Sequence, residues 1–150
     1  MQPASAQKSP TCLLYLDSDR RRREQAEAAL ASHVAVFSVQ DAITANATFI
    51  AEQPAVIIAV QGAHESYGDL IRQWRKDPDG ADIPILVAST TTDADTIAQA
   101  YADGASDWLP APIDFDMLQV RLPFLCRRAA DIREQRQQND LLNRANHIAQ

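Results

Sequence analysis

Three side chains with the makings of a nucleophile, a base and an orienting acid stand at or just beyond the ends of apolar runs. Ser89 follows PILVA, His64 follows AVIIAV and Asp17 follows TCLLYL. In an α/β enzyme, strand ends of this kind assemble Ser-His-Asp acyl-transfer chemistry. The neighbouring residues speak against a serine hydrolase here, because Ser89 is not in a G-x-S-x-G elbow and no glycine-rich oxyanion loop is visible. Cys12 and Cys126 lie far apart in apolar contexts, with no second Cys or His at metal-ligand spacing, and are expected to be buried cytosolic thiols. The run Arg20–Arg23 could meet phosphate, but Glu24 and Glu27 follow at pairing distance, which predicts a solvated helix start. Twenty acidic residues against 14 basic give a net charge of -6, so a surface tracking nucleic acid is not expected.

The scaffold for these residues must be a single compact domain with at most an extension, since the chain has 150 residues. With 46% hydrophobic and 23% charged residues it has the composition of a soluble globular protein that can bury a sizeable core. The opening MQPASAQKSP lacks the apolar run of a secretory signal, and no stretch approaches the roughly 18 apolar residues of a membrane span. A cytoplasmic location without membrane contact is therefore expected.

Residues 1–10 read as a loose tail. Five short apolar runs then predict strands: Thr11 to Leu16, Val34 to Val39, Ala55 to Val60, Pro84 to Ala88 and Asp107 to Leu109. The third, AVIIAV, is apolar at every position, as befits a central strand covered on both faces. Between the runs lie helical patterns. Asp19 caps one with Ala26, Ala29 and Leu30, and Asp41 caps a second whose apolar residues are Ile43, Ala47, Ile50 and Ala51. Leu70, Ile71 and Trp74 form the face of a third, Trp74 serving as packing. The fourth starts from Asp93, ends at Gly104 and is predicted to turn Ala94, Ile97, Ala98 and Tyr101 inward. The last begins near Asp114 with Met117, Leu118, Leu122 and Leu125 inward. Strict alternation of five strands and five helices implies a doubly wound parallel α/β sheet, with chemistry at the C-terminal strand ends.

Four segments in order carry a family resemblance: LLYLDSD, PAVIIAVQGAHESYG, ADIPILVAS and GASDWLPAPI. Over residues 11–127 the chain resembles a response-regulator receiver domain, which implies a flavodoxin-like sheet of order 2-1-3-4-5. Receivers accept a phosphoryl group from a histidine kinase on a carboxylate, beside oxygen ligands for magnesium, a Lys and a switch hydroxyl. The resemblance places Val60 at the acceptor position, Ser18 at the second member of the acidic pair after Asp17, and Ala111 at the Lys position before Pro112. The acids that follow Val60, Glu65 and Asp69, lie in the loop or beyond it. Ser89 keeps the switch hydroxyl and Trp108 the switch aromatic. With carboxylates and ammonium lost together, no buried charge is stranded, and Asp17 alone, expected at the solvated end of a strand, is a poor magnesium site.

The resemblance thus implies a degenerate phosphorylation pocket of Asp17, Ser18, Val60, Ser89 and Ala111, with no metal and no cofactor. The expected function is a non-catalytic regulatory and protein-interaction module of bacterial signalling. Alternatives are phosphorylation of another acid such as Asp17 and, remotely, a small serine hydrolase using Ser89, His64 and Asp17. Family practice makes the Ala111–Pro112 bond cis and places pairing on a face bearing Tyr101 and Trp108. Residues 128–150 continue as a helical linker or coiled coil in which Leu141, Leu142, Ala145 and Ile148 have no core to cover, which predicts a homodimer. Pro123 favours a kink near Gln119 to Leu122. An output domain such as a diguanylate cyclase or phosphodiesterase is the expected continuation, making cyclic di-GMP signalling the implied context.

Overall fold

The computed structural model describes residues 12–62 and 65–149, apart from the side chains of 147–149. Strands and helices alternate: β1 Cys12–Leu16, α1 Arg20–Leu30, β2 Ala35–Val39, α2 Ala42–Glu52, β3 Val56–Val60, α3 Gly68–Lys76, β4 Ile85–Ser89, α4 Ala94–Asp103, β5 Asp107–Pro110 and α5 Phe115–Ala149. The strands form one parallel sheet in the order β2-β1-β3-β4-β5. This is the doubly wound α/β architecture that the alternation implied, with the long C-terminal helix in place. The predicted tail at 1–10 lies outside the described residues.

Alternation of side chains along each strand builds two cores. Leu14, Leu16, Ile57, Ala59, Ile85 and Val87 face α2, α3 and α4, where Phe49, Ile71 and Trp74 pack on them. Leu13, Tyr15, Val56, Ile58, Val60, Leu86 and Ala88 face α1 and α5, and meet Ala26, Leu30, Leu118 and Leu122. Every residue of β1, β3 and β4 is buried, so each large side chain among them contributes roughly 1.5–3 kcal/mol relative to exposure. Asp19, Asp41 and Asp93 cap α1, α2 and α4 by accepting backbone N–H groups of Arg22, Thr44 and Asp95. Gly104 ends α4 at φ 120°, a conformation that a side chain would strain.

Three helices are turned differently from the sequence pattern. On α2 the buried residues are Ala45 and Phe49, while Ile43 and Ile50 are 85% and 64% exposed and Ala47 and Ala51 also face outward. Phe49 wins the inward position because it stacks on Trp74 at 5.3 Å between ring centres, and the Trp74 indole N–H donates to Asn46 Oδ1 on the same helix face. On α4, Ala100 and Asp103 are buried and Ile97 is half-buried, leaving Ala94, Ala98 and Tyr101 exposed. The Tyr101 hydroxyl donates to Asp107 Oδ1 at 3.1 Å. On α5, Leu118 and Leu122 are buried and Leu125 is half-buried as predicted, but Met117 is exposed.

The packed part of α5 reaches past Arg127: Ala129 is buried and Arg136 pairs with Asp82 at 2.8 Å. Pro123 lies inside this helix. Cys12 is buried and Cys126 only half-buried, both as free thiols whose pKa values burial raises. No helix among the described residues is long and apolar enough to cross a membrane.

Candidate functional site

Parallel pairing brings the C-terminal ends of β1, β3, β4 and β5 to one rim, where chain order alone would scatter them. Leu16 pairs with Ala59, Val60 with Ala88 and Ser89 with Pro110. Asp17, Ser18, Val60, Ser89 and Ala111 therefore share that edge. The rim backbone is knitted together by N–H donors of Asp17 to Val39, of Gln61 to Ala88 and of Ala111 to Ser89, at 2.8–3.0 Å. The Ala111–Pro112 bond is cis.

Asp17 is fully buried, a correction to its expected place at a solvated strand end. Strand alternation puts Tyr15 and Asp17 on the side of the sheet that α1 covers, and α1 begins only three residues after Asp17. Its first turn hangs over the carboxylate. Arg22 forks onto it, Nε donating to Oδ2 at 2.9 Å and a terminal nitrogen to Oδ1 at 2.8 Å. The Tyr15 hydroxyl donates to Oδ2 and the Asp19 backbone N–H to Oδ1, each at 2.9 Å. Arg23 donates to the Asp17 carbonyl at 2.8 Å. The solvated reading of the arginine run holds for Arg20, which pairs with Glu24. It fails for Arg22, because the buried carboxylate needs a counter-charge and this guanidinium is within reach, and for Arg23, which is held on the Asp17 carbonyl. Glu27 instead accepts from the Ser38 hydroxyl.

The electrostatics follow from these contacts. Hydrogen bonding to Asp17 raises the Arg22 pKa above its ordinary value. Burial, and then the Asp17 carboxylate, hold the Tyr15 phenol protonated far above the usual range. The Asp19 carboxyl is lowered, chiefly by its bond to the Arg22 backbone N–H.

Around this centre the rim is apolar or self-satisfied. Val60 is 3% exposed and belongs to the core shared with Tyr15 and Ala88. Ser18 donates to Glu65 Oε1 at 3.2 Å, and Glu65 also accepts from the Gly62 N–H and the Tyr67 hydroxyl. Burial, and then Glu65, push the Tyr67 phenol up to about 12. Ser89 is buried and its Oγ accepts the Thr91 N–H at 3.2 Å. For the hydrolase reading, Asp17 is engaged by Arg22 and Tyr15, and His64 lies outside the described residues.

Magnesium takes near-octahedral oxygen ligation, usually from one or two carboxylates with a phosphate alongside. The rim does not fit it. A carboxylate has about four lone-pair sites, and Asp17 accepts four hydrogen bonds. Among the described residues no group of three or more His, Cys, Asp or Glu side chains could hold a metal ion. The sequence reading missed Tyr15 and Tyr67, left Glu65 as a loop acid and read Arg22 as solvated. The signal available was an Arg three residues into a helix that starts directly after a strand-end acid.

Tyr101 and Trp108 lie beside each other's elements at the α4–β5 edge, with Trp108 half-buried against the core and its neighbour Asp107 paired to Arg121 of α5. Leu141 and Leu142 are 64% and 61% exposed, Ala145 is exposed, and the side chain of Ile148 lies outside the described set.

No family model matches the sequence, and no curated protein matches it. Solved structures do. A response regulator of Chloroflexus aurantiacus superposes with a TM-score of 0.68 at 21% identity, over 79% of this chain and 99% of that one. The signal receiver domain of a Luxo repressor protein of Vibrio parahaemolyticus gives 0.69 at 18%, over 89% and 98%. A response regulator protein of Burkholderia multivorans gives 0.67 at 25%, over 78% and 95%. The chain has the fold of response-regulator receiver domains.

Proposed function

We propose that the chain is a receiver-like regulatory and protein-interaction module that works without accepting a phosphoryl group. The observation that carries this is Val60: where the resemblance puts the acceptor carboxylate, the end of β3 presents a buried apolar side chain with no nucleophilic atom. Ala111 likewise brings no ammonium to the rim, and Asp17, the alternative acceptor, has its oxygens taken by Arg22, Tyr15 and the Asp19 amide. The pocket of Asp17, Ser18, Val60, Ser89 and Ala111 is then a structural relic that stabilises one rim conformation. Incubation with acetyl phosphate and magnesium, read by intact mass, is expected to leave the chain unmodified. A stoichiometric adduct of one phosphoryl group would refute the proposal.

Signalling then depends on protein surfaces. α5 presents Met117, Val120, Phe124, Leu141 and Leu142 as large exposed apolar side chains, and Tyr101 lies exposed near Trp108. Burying the chain from 128 to 150 against a second copy gives a cytoplasmic homodimer, and the long helix provides the connection to an output domain. A diguanylate cyclase or phosphodiesterase is the output that the resemblance implies. Light scattering should find a dimer, weakened by replacing Leu141 and Leu142 with Gln; a monomer at high concentration in both would dismiss it.

A further inference from the structure

Three polar side chains are buried among the described residues: Asp17, Ser89 and Asp103. Ser89 is satisfied by a local turn and Asp103 by a pair between two helices. Asp17 is different, because it stands at the one rim of this fold where a divalent cation would ordinarily balance acid, and a side chain of the same protein already balances it. We propose that the Arg22 guanidinium is an intramolecular replacement for that divalent cation, occupying the place beside Asp17 and holding the rim in one cation-independent state. The proposal rests on the reading of a pocket without phosphorylation and extends it to what set the pocket free of metal.

The geometry supports a replacement and not a passing surface contact. Arg22 meets both Asp17 oxygens in a forked pair, whose planar donor spacing matches a carboxylate and which a single surface ion pair lacks. A further terminal nitrogen lies 3.6 Å from Asp19 Oδ2, so one guanidinium spans two carboxylates, as a bridging cation would. It is also anchored at both ends. The Arg22 backbone N–H is the donor that Asp19 caps, so the residue that neutralises Asp17 is part of the first turn of α1. Ser18, in place of the second acid, is turned toward Glu65. A cation entering this rim must displace the Arg22 guanidinium from both Asp17 oxygens.

Removing the guanidinium should therefore uncover a latent cation site. Without it, the buried Asp17 carboxylate keeps only the Tyr15 hydroxyl and the Asp19 N–H, with the Asp19 carboxylate close by and Arg23 bonded to the Asp17 carbonyl, not to the carboxylate. Manganese or magnesium would then bind where Arg22 stood.

The test is thermal unfolding of the whole chain across a manganese titration at constant ionic strength. Wild type should show no saturable shift. Arg22→Ala should melt lower and regain about 4 °C, saturably, when manganese reaches ten times its dissociation constant. Asp17→Asn combined with Arg22→Met should fold and ignore manganese, which locates the response at this pair. Should Arg22→Ala not fold, Arg22→Gln removes the charge, keeps an amide donor and is read in the same way. A saturable manganese response in wild type, or none in both single variants, would overturn the replacement. Neither result bears on whether acetyl phosphate modifies the chain, so failure here is separable from failure of the functional reading.

Discussion

Among the described residues two aspartates are buried, and each meets an arginine, yet the two pairs are built on different principles. Asp17 directly follows β1 and is reached from α1, five residues along the chain, by a fork that fills both oxygens together with Tyr15 and a backbone N–H. Asp103 ends α4 and is reached across space by Arg72 of α3, with Gln99 as a second donor at 2.9 Å. Arg72 divides itself between Asp103 and the exposed Asp69. Gly68 makes room for this pair, since a side chain there would collide with the Asp103 carboxylate. One pair thus closes a rim locally, and the other ties two neighbouring helices. The difference lies in what remains when the arginine leaves.

The largest expected effect follows from that. Arg22→Ala strands a fully buried carboxylate with two neutral donors and should cost about 3 kcal/mol in urea unfolding, the usual scale for breaking a buried pair from one side. Arg72→Ala removes a half-exposed arginine and leaves Asp103 still bonded by Gln99, and should cost about 1–2 kcal/mol. Equal losses in the two variants would erase the contrast, and a larger loss for Arg72→Ala would reverse it.

A smaller effect sharpens the rim side of the comparison through pH. Both tyrosines that donate to rim carboxylates have raised pKa values, Tyr67 to about 12, whereas an unfolded Tyr titrates near 10. A group whose pKa rises on folding stabilises the native state fully below its unfolded value and loses that contribution as pH climbs through the folded one. Stability should therefore hold below about pH 10 and decline between about 10 and 12. Tyrosinate absorbance recorded beside the unfolding curves should show Tyr15 ionising only with unfolding. Three tyrosines titrating together near pH 10 in a folded chain would contradict the hydrogen bonds at this rim.

The strands could be read with errors of one residue at their ends because a parallel sheet covered on both faces leaves little choice. VIIAV and ILVAS must be apolar at nearly every position, and such runs are visible in one dimension. Helix capping was equally local, since Asp19, Asp41 and Asp93 act on amides two or three residues away. Helix facing was not. α2 carries two stripes at helical spacing, one through Ile43, Ala47, Ile50 and Ala51 and one through Ala42, Ala45 and Phe49. Hydrophobicity favours the first. Only the presence of Trp74, on a helix that follows in the chain, makes the second the buried one.

The same division runs through the candidate site. The absence of a nucleophile at position 60 and of an ammonium at 111 is a property of residue types, and needs only the alignment of strand ends to be understood. That Asp17 is buried, and that the third of four consecutive arginines neutralises it, is not contained in the run RRRR. It depends on how steeply the chain turns through Ser18 and Asp19 into α1, which brings Arg22 onto the carboxylate of the strand-end acid and Arg23 onto its carbonyl. Local sequence determined the elements, because backbone preferences and burial on two faces act within a few residues. The partner of each buried charge was decided by packing between elements, because a charge is satisfied by whatever lies within about 3 Å of it, however far away that group is along the chain.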